Sequence, residues 1–175
     1  MRGNMTRKLV LAALFAGLGV LLSALAIPVG GTRVFPVQHA LNAVAGVLLG
    51  PWWAAGSALV TATLRFAFGT GTVFAFPGSP FGALAVGFAY LAFRRDWAAL
   101  FEPVGTVFVG AVLAAALISP LLGIASGGLV ALMVAFALSS IPGAIIGFLV
   151  LKLLRRSGAV GKETDTTDGS RRSGV

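Results

Sequence analysis

RFAFGTGTVFAFPGSPFG, running from Arg65 to Gly82, interrupts a sequence that on either side is close to pure hydrocarbon. It sets one arginine, the glycines Gly69, Gly71 and Gly78, and the prolines Pro77 and Pro80 among aromatic residues. An irregular segment facing lipid would leave backbone groups unpaired, so this one must lie at the interface or line a cavity roofed by protein. The apolar stretches on its two sides are then separate elements of a polytopic chain. The segment is the first candidate for a working site; the alternative is a glycine-rich connector whose arginine snorkels to the headgroups.

Composition agrees with this class. The 175 residues are 58% hydrophobic and 10% charged, with a mean hydropathy of +0.99, too apolar for a soluble domain. The net charge of +8 comes almost wholly from lysines and arginines gathered at the two ends and around Arg94-Arg95. That is the distribution membrane topology demands, so it calls for no nucleic-acid partner. With no cysteine and a single histidine, thiolate and multi-histidine metal sites are excluded, and no cofactor is expected.

Outward from the opening stretch, the apolar segments read as six spans: about Leu9–Ile27, Val37–Leu49, Trp52–Phe68, Gly78–Phe93, Val104–Leu122 and Leu129–Leu151. The expected fold is an all-α integral membrane bundle of six transmembrane helices in the plasma membrane. Basic residues before the first span, after the fourth and after the sixth put both termini in the cytoplasm. Residues 1–156 would form the membrane domain, and 157–175, polar and without apolar pattern, a disordered cytoplasmic tail. Ala24-Leu25-Ala26 after a basic start also resembles a leader cleavage site. Against cleavage, Ala12, Ala16, Gly19 and Ser23 form one small-residue face on the first span, fit for close approach of another helix. Ala131, Ala135, Ser139, Gly143 and Gly147 form a similar stripe on the last span, read as internal packing.

Between the first two spans, PVGGTRVFP (Pro28–Pro36) is an outer loop able to act as a lid. On this topology the polar side chains Arg33, Gln38, His39, Asn42, Arg65, Thr70, Thr72 and Ser79 gather on the outer side, as do Ser119 and Ser126. Polar groups at membrane depth are costly unless they face a wet cavity, so their clustering predicts a pocket open to the exterior. Phe66, Phe68, Phe74, Phe76 and Phe81 are expected to supply its aromatic lining. Singly, His39 and Asn42 also read as helix-start or interfacial residues.

Asp96 and Glu102 are assigned to an inner polar loop, which leaves no carboxylate within any span. Ion-coupled carriers rely on such carboxylates, so uphill transport would need energy from another subunit. Two arginines and no acid outside favour a neutral or anionic heterocycle over a cation. With no acid to orient His39, a catalytic reading is disfavoured.

Three features together resemble a known family: Ala12-x-x-x-Ala16 within KLVLAALFAGLGVLLS, the turn LLGPWWA (48–54), and six short spans in a chain of this length. The chain resembles the substrate-binding S component of energy-coupling factor (ECF) transporters. FGTGTVFAFPGSPFGAL (68–84) is similar to the ThiW branch, thought to take up the hydroxyethylthiazole precursor of thiamine. The resemblance covers about Arg7 to Arg156. It implies a small heterocyclic ligand held near the outer face. It also implies docking through the first helix, here Ala12, Ala16, Gly19 and Ser23, onto a transmembrane coupling subunit with two cytoplasmic ATPases. Other ligands, including the pyrimidine precursor, a passive facilitator and a site-free membrane assembly factor are the rival readings.

Overall fold

The computed structural model describes residues 2–29 and 32–161. Gly30 and Gly31 of the proposed lid, and residues 162–175 of the expected tail, lie outside the described residues. Among the described residues the regular structure is all helical apart from one hairpin. Helix α1 (Arg2–Leu21) tightens into a 3-10 turn (Leu22–Leu25), and the strands β1 (Ile27–Val29) and β2 (Thr32–Val34) pair antiparallel, Pro28 opposite Arg33. Then come α2 (Pro36–Leu49), α3 (Pro51–Ala67) and α4 (Ala75–Phe93). A rod from Asp96 to Leu122, here α5, and α6 (Gly128–Arg156) complete the chain.

By length and composition, Met5–Leu25, Ala75–Phe93, Asp96–Leu122 and Gly128–Arg156 are long and apolar enough to cross a membrane. The other two, α2 and α3, are shorter, at 14 and 17 residues. Helix α2 is nonetheless the centre of the bundle, buried along most of its length and packed mainly against α6 and α4. Pro36 starts it where a missing N–H costs nothing. At its end Gly50, at φ +83, makes the turn into α3, a conformation a side chain would strain.

Small residues set the spacing. A Cβ on Gly147 would lie 2.8 Å from the Ala43 Cβ, and one on Gly46 2.6 Å from a Val86 methyl. Helices this close make many dispersion contacts, which must carry association where lipid is as apolar as the protein. Gly143 and Gly147 of the α6 stripe thus pack internally against α2, as the spacing suggests.

The small face of α1, expected to meet a coupling subunit, has a neighbour within the bundle. Ala12 and Ala16 are 8% and 4% exposed. The Ser57 hydroxyl donates to the Ala12 carbonyl at 2.8 Å, and a Cβ on Gly19 would meet Thr61 Cγ2 at 2.6 Å. Lack of bulk admits any helix, and the one that takes the place is α3. Ser23 at the end of this face donates to the Val20 carbonyl and lies 3.3 Å from Thr70 Oγ1.

The two acids stand elsewhere than in the expected inner loop. Residues Asp96–Phe101 form the 3-10 opening of α5, so Asp96 and Glu102 are helical and buried rather than in a loop. Each is kept there by partners. Asp96 takes Arg155 Nε at 2.5 Å, while the other guanidinium nitrogens reach the Tyr90 hydroxyl and the Gly161 carbonyl. This ties α4, α5 and α6 together at one end. Glu102 belongs to the site described next.

Candidate functional site

At the end of the bundle that carries the hairpin and the α3–α4 loop, the helices part around a cavity of about 830 Å³. Its wall takes Phe35, Gln38 and His39 from the start of α2 and Arg65 from the end of α3. The loop gives Thr70 and Thr72, α4 gives Ser79, α5 gives Thr106, and α6 gives Ala131, Ala135 and Ser139.

Local geometry explains each placement. The Phe35 amide, just ahead of α2, donates to Ser139 Oγ at 3.1 Å, anchoring that entry to α6. Arg65, 3% exposed, lays its guanidinium over the Phe35 ring, 4.2 Å from the centroid. Its Nη1 donates to Gln38 Oε1 (3.4 Å) and its Nη2 to the Thr70 carbonyl (3.2 Å). Thr70 and Gly71 in turn donate their amides to the Arg65 carbonyl, which closes the loop onto the helix end. A planar fork over an aromatic face is a task that suits arginine and not lysine.

From Arg65 a chain of polar contacts runs to the cavity floor. Gln38 Nε2 donates to Asn42 Oδ1 at 3.3 Å, and Asn42 Nδ2 lies 3.4 Å from Glu102 Oε1 and 3.2 Å from the Ser79 carbonyl. The same carboxylate oxygen lies 2.7 Å from His39 Nδ1 and 2.8 Å from Thr106 Oγ1. Glu102 is fully buried, and its Oε2 makes no hydrogen bond. Room for it exists because position 82 is glycine: a Cβ there would overlap Glu102 Oε1. A buried carboxylate gathers donors because an unpaired one is costly, and here three side chains converge on one oxygen.

Of the residues singled out in the sequence, Arg33, Gln38, His39, Arg65, Thr70, Thr72, Ser79 and Ser126 line the cavity. Asn42 does not; it stands behind the wall, joining Gln38 to Glu102. Ser119 turns away and donates to the Ala114 carbonyl. The aromatic lining also differs. Phe74 is shared with expectation, but Phe66 and Phe68 lie exposed on the outside, Phe76 and Phe81 do not reach the wall, and the remaining rings are Phe35 and Phe136. Neighbouring residues near a helix end point different ways, and position alone could not say which would face inward.

The acid beneath His39 was missed outright. Glu102 precedes Pro103 and follows Arg94-Arg95 closely, the pattern of an inner loop. The opposing signal was the apolar run WAALF (97–101), too greasy for a solvated loop, with Thr106 one turn on. The expectation that no acid orients His39 is therefore wrong. The cavity wall itself still carries two arginines and no carboxylate among the described residues, since Glu102 lies behind it. Among the described residues no group of three or more His, Cys, Asp or Glu is placed to hold a metal ion.

Comparison with known proteins supports a transport role. The fold resembles the crystal structure of the S component for biotin from an ECF-type ABC transporter, with a TM-score of 0.61 over 93% of this chain and 96% of that one. At 21% identity the likeness shows the fold alone. No curated protein matches the sequence. Residues 9–157 match ThiW, described as thiamine-precursor transporter protein, a family of transporters and not of enzymes, and the apolar helices fit a multi-pass protein of the plasma membrane. Having the S-component fold, and matching over almost its whole helical part, the chain belongs to the ThiW family of thiamine-precursor transporter proteins.

Proposed function

We propose that this chain is the substrate-specificity subunit of an ATP-driven importer and that its ligand is the hydroxyethylthiazole precursor of thiamine. The observation that carries the reading is the 830 Å³ cavity, in which Phe35, Phe74 and Phe136 offer ring faces and Gln38, His39, Thr72 and Ser79 offer polar groups. Aromatic faces with a few placed hydrogen-bonding groups are what a small polar heterocycle needs. Thiamine, a cation, would want a carboxylate in the wall, and the wall presents Arg33 and Arg65 instead.

In this reading α2 and α3 complete a six-span bundle with both termini in the cytoplasm, as the basic residues at Arg94, Arg95, Arg155 and Arg156 favour. The cavity then opens outward. Energy comes from a coupling subunit with two ATPases. Among the described residues no carboxylate lies in the wall to bind a coupling ion, and Oε1 of Glu102, behind it, is already committed to three donors. Since α3 covers Ala12, Ala16 and Gly19, docking through α1 would use its other side, where Leu14 and Leu21 are exposed and nothing lies near Gly17.

The test is binding to the purified protein, with hydroxyethylthiazole, the hydroxymethyl-aminopyrimidine precursor and thiamine compared. The thiazole should bind tightest, and alanine at Arg65 or His39 should weaken it by about 1–3 kcal/mol, the cost of leaving a buried polar partner unpaired. Tighter binding of the pyrimidine would reassign the ligand within the same fold.

A further inference from the structure

The geometry points to Glu102 as a positioning residue that makes His39 Nε2 a hydrogen-bond acceptor at the cavity floor. The cavity would then select an uncharged heterocycle carrying a hydroxyl or amino donor. The ligand half of this inference rests on the proposed function; the Glu102–His39 half does not.

His39 lines the cavity, its Nδ1 is engaged by Glu102 Oε1 at 2.7 Å, and its Nε2 has no protein partner and is not sealed from the cavity. A carboxylate oxygen can only accept, so the shared proton sits on Nδ1 and the lone pair of a neutral ring falls on Nε2. The amides of Gln38 and Asn42 both turn their N–H groups toward the acid, and Gln38 Oε1 accepts from Arg65 at the far end of this chain. Thr106 adds a neutral donor.

Nothing can slip in this arrangement. A methyl at position 82 would overlap both Glu102 Oε1 and Thr106 Oγ1, so helix α4 presses the acid against the ring. On the far side a Cβ at Gly143 of α6 would meet His39 Cβ at 2.5 Å, so α6 packs closely against the stem of the side chain. A rotamer locked by packing and a second hydrogen bond is what a recognition group requires.

Because His39 is the one histidine in the chain, selective 15N-histidine labelling reads this site alone. In the wild-type protein Nδ1 should be pyrrole-like, with an attached proton, and Nε2 pyridine-like. Glu102→Gln, whose amide can donate to Nδ1, should mix or reverse the two. A proton on Nε2 in the wild type overturns the inference without need of any variant, and so does an unchanged pattern in a folded Glu102→Gln protein. The ligand arm uses 5-(2-hydroxyethyl)-4-methylthiazole against 5-ethyl-4-methylthiazole, which differ only in the hydroxyl. The hydroxylated compound should shift the Nε2 resonance and bind about tenfold or more tightly. That preference should vanish in His39→Ala. Equal affinities in the wild type reject the donor selection. Failure of both thiazoles to bind, with the acceptor tautomer present, rejects the thiazole reading while upholding the role of Glu102.

Discussion

Gly82 shows how much of this site hangs on a single carbon atom. Its absent Cβ is what lets Glu102 and Thr106 reach their places, so Gly82→Ala should push the carboxylate from His39. Overpacking of this kind typically costs about 1–3 kcal/mol, and it should appear as a lowered unfolding midpoint in detergent together with a changed His39 tautomer. Ala85→Gly, nearly one turn further along α4 at a half-buried site, is the control and should leave the imidazole unchanged. At this scale the sequence was legible where residue type alone decides. Arg65, Gln38 and His39 could be placed around a cavity because membrane depth leaves such groups few options. Glu102 could not, because what makes its burial tolerable is supplied by residues 60 and 63 positions away and by a glycine on a third helix.

The last helix carries two functions along one stripe. In its first half Ala131, Ala135 and Ser139 line the cavity; in its second, Gly143 and Gly147 meet the backbone of α2, where a Cβ on Gly143 would overlap the Pro36 carbonyl. Gly147→Leu should therefore destabilise the fold by about 1–3 kcal/mol, read as a lower unfolding midpoint, because the helices cannot separate without losing their contacts. Ala135→Leu should leave the midpoint nearly unchanged and weaken ligand binding by filling the cavity. Equal loss of stability in both would show that the helix packs uniformly along its length. The four-residue period was readable from the sequence, and so was internal packing. The change of role midway was not, since it depends on where α2 begins, at Pro36, against the facing turn of α6.

At the scale of the molecule, apolar length and charge asymmetry sufficed for a membrane bundle, and the outer clustering of polar groups for a cavity at one end. What they could not resolve is which face of a helix is already taken. The small stripe of α1 illustrates this, because absence of bulk serves an internal neighbour and an external subunit equally well. The structure gives that stripe to α3, and so divides the first helix into two experimentally separable sides. Gly19→Leu would drive its side chain into Thr61 and Gln38, and should lower stability, ligand binding and uptake together. Gly17→Trp adds bulk where nothing lies within 4 Å, so the isolated protein should fold and bind ligand as before. If the coupling subunit docks on that side of α1, ATP-dependent uptake in cells should be lost in Gly17→Trp alone. Undiminished uptake there would move the docking surface off the exposed side of the first helix. Loss of uptake in Gly19→Leu with binding preserved would mean instead that α1 leaves α3 when the transporter assembles.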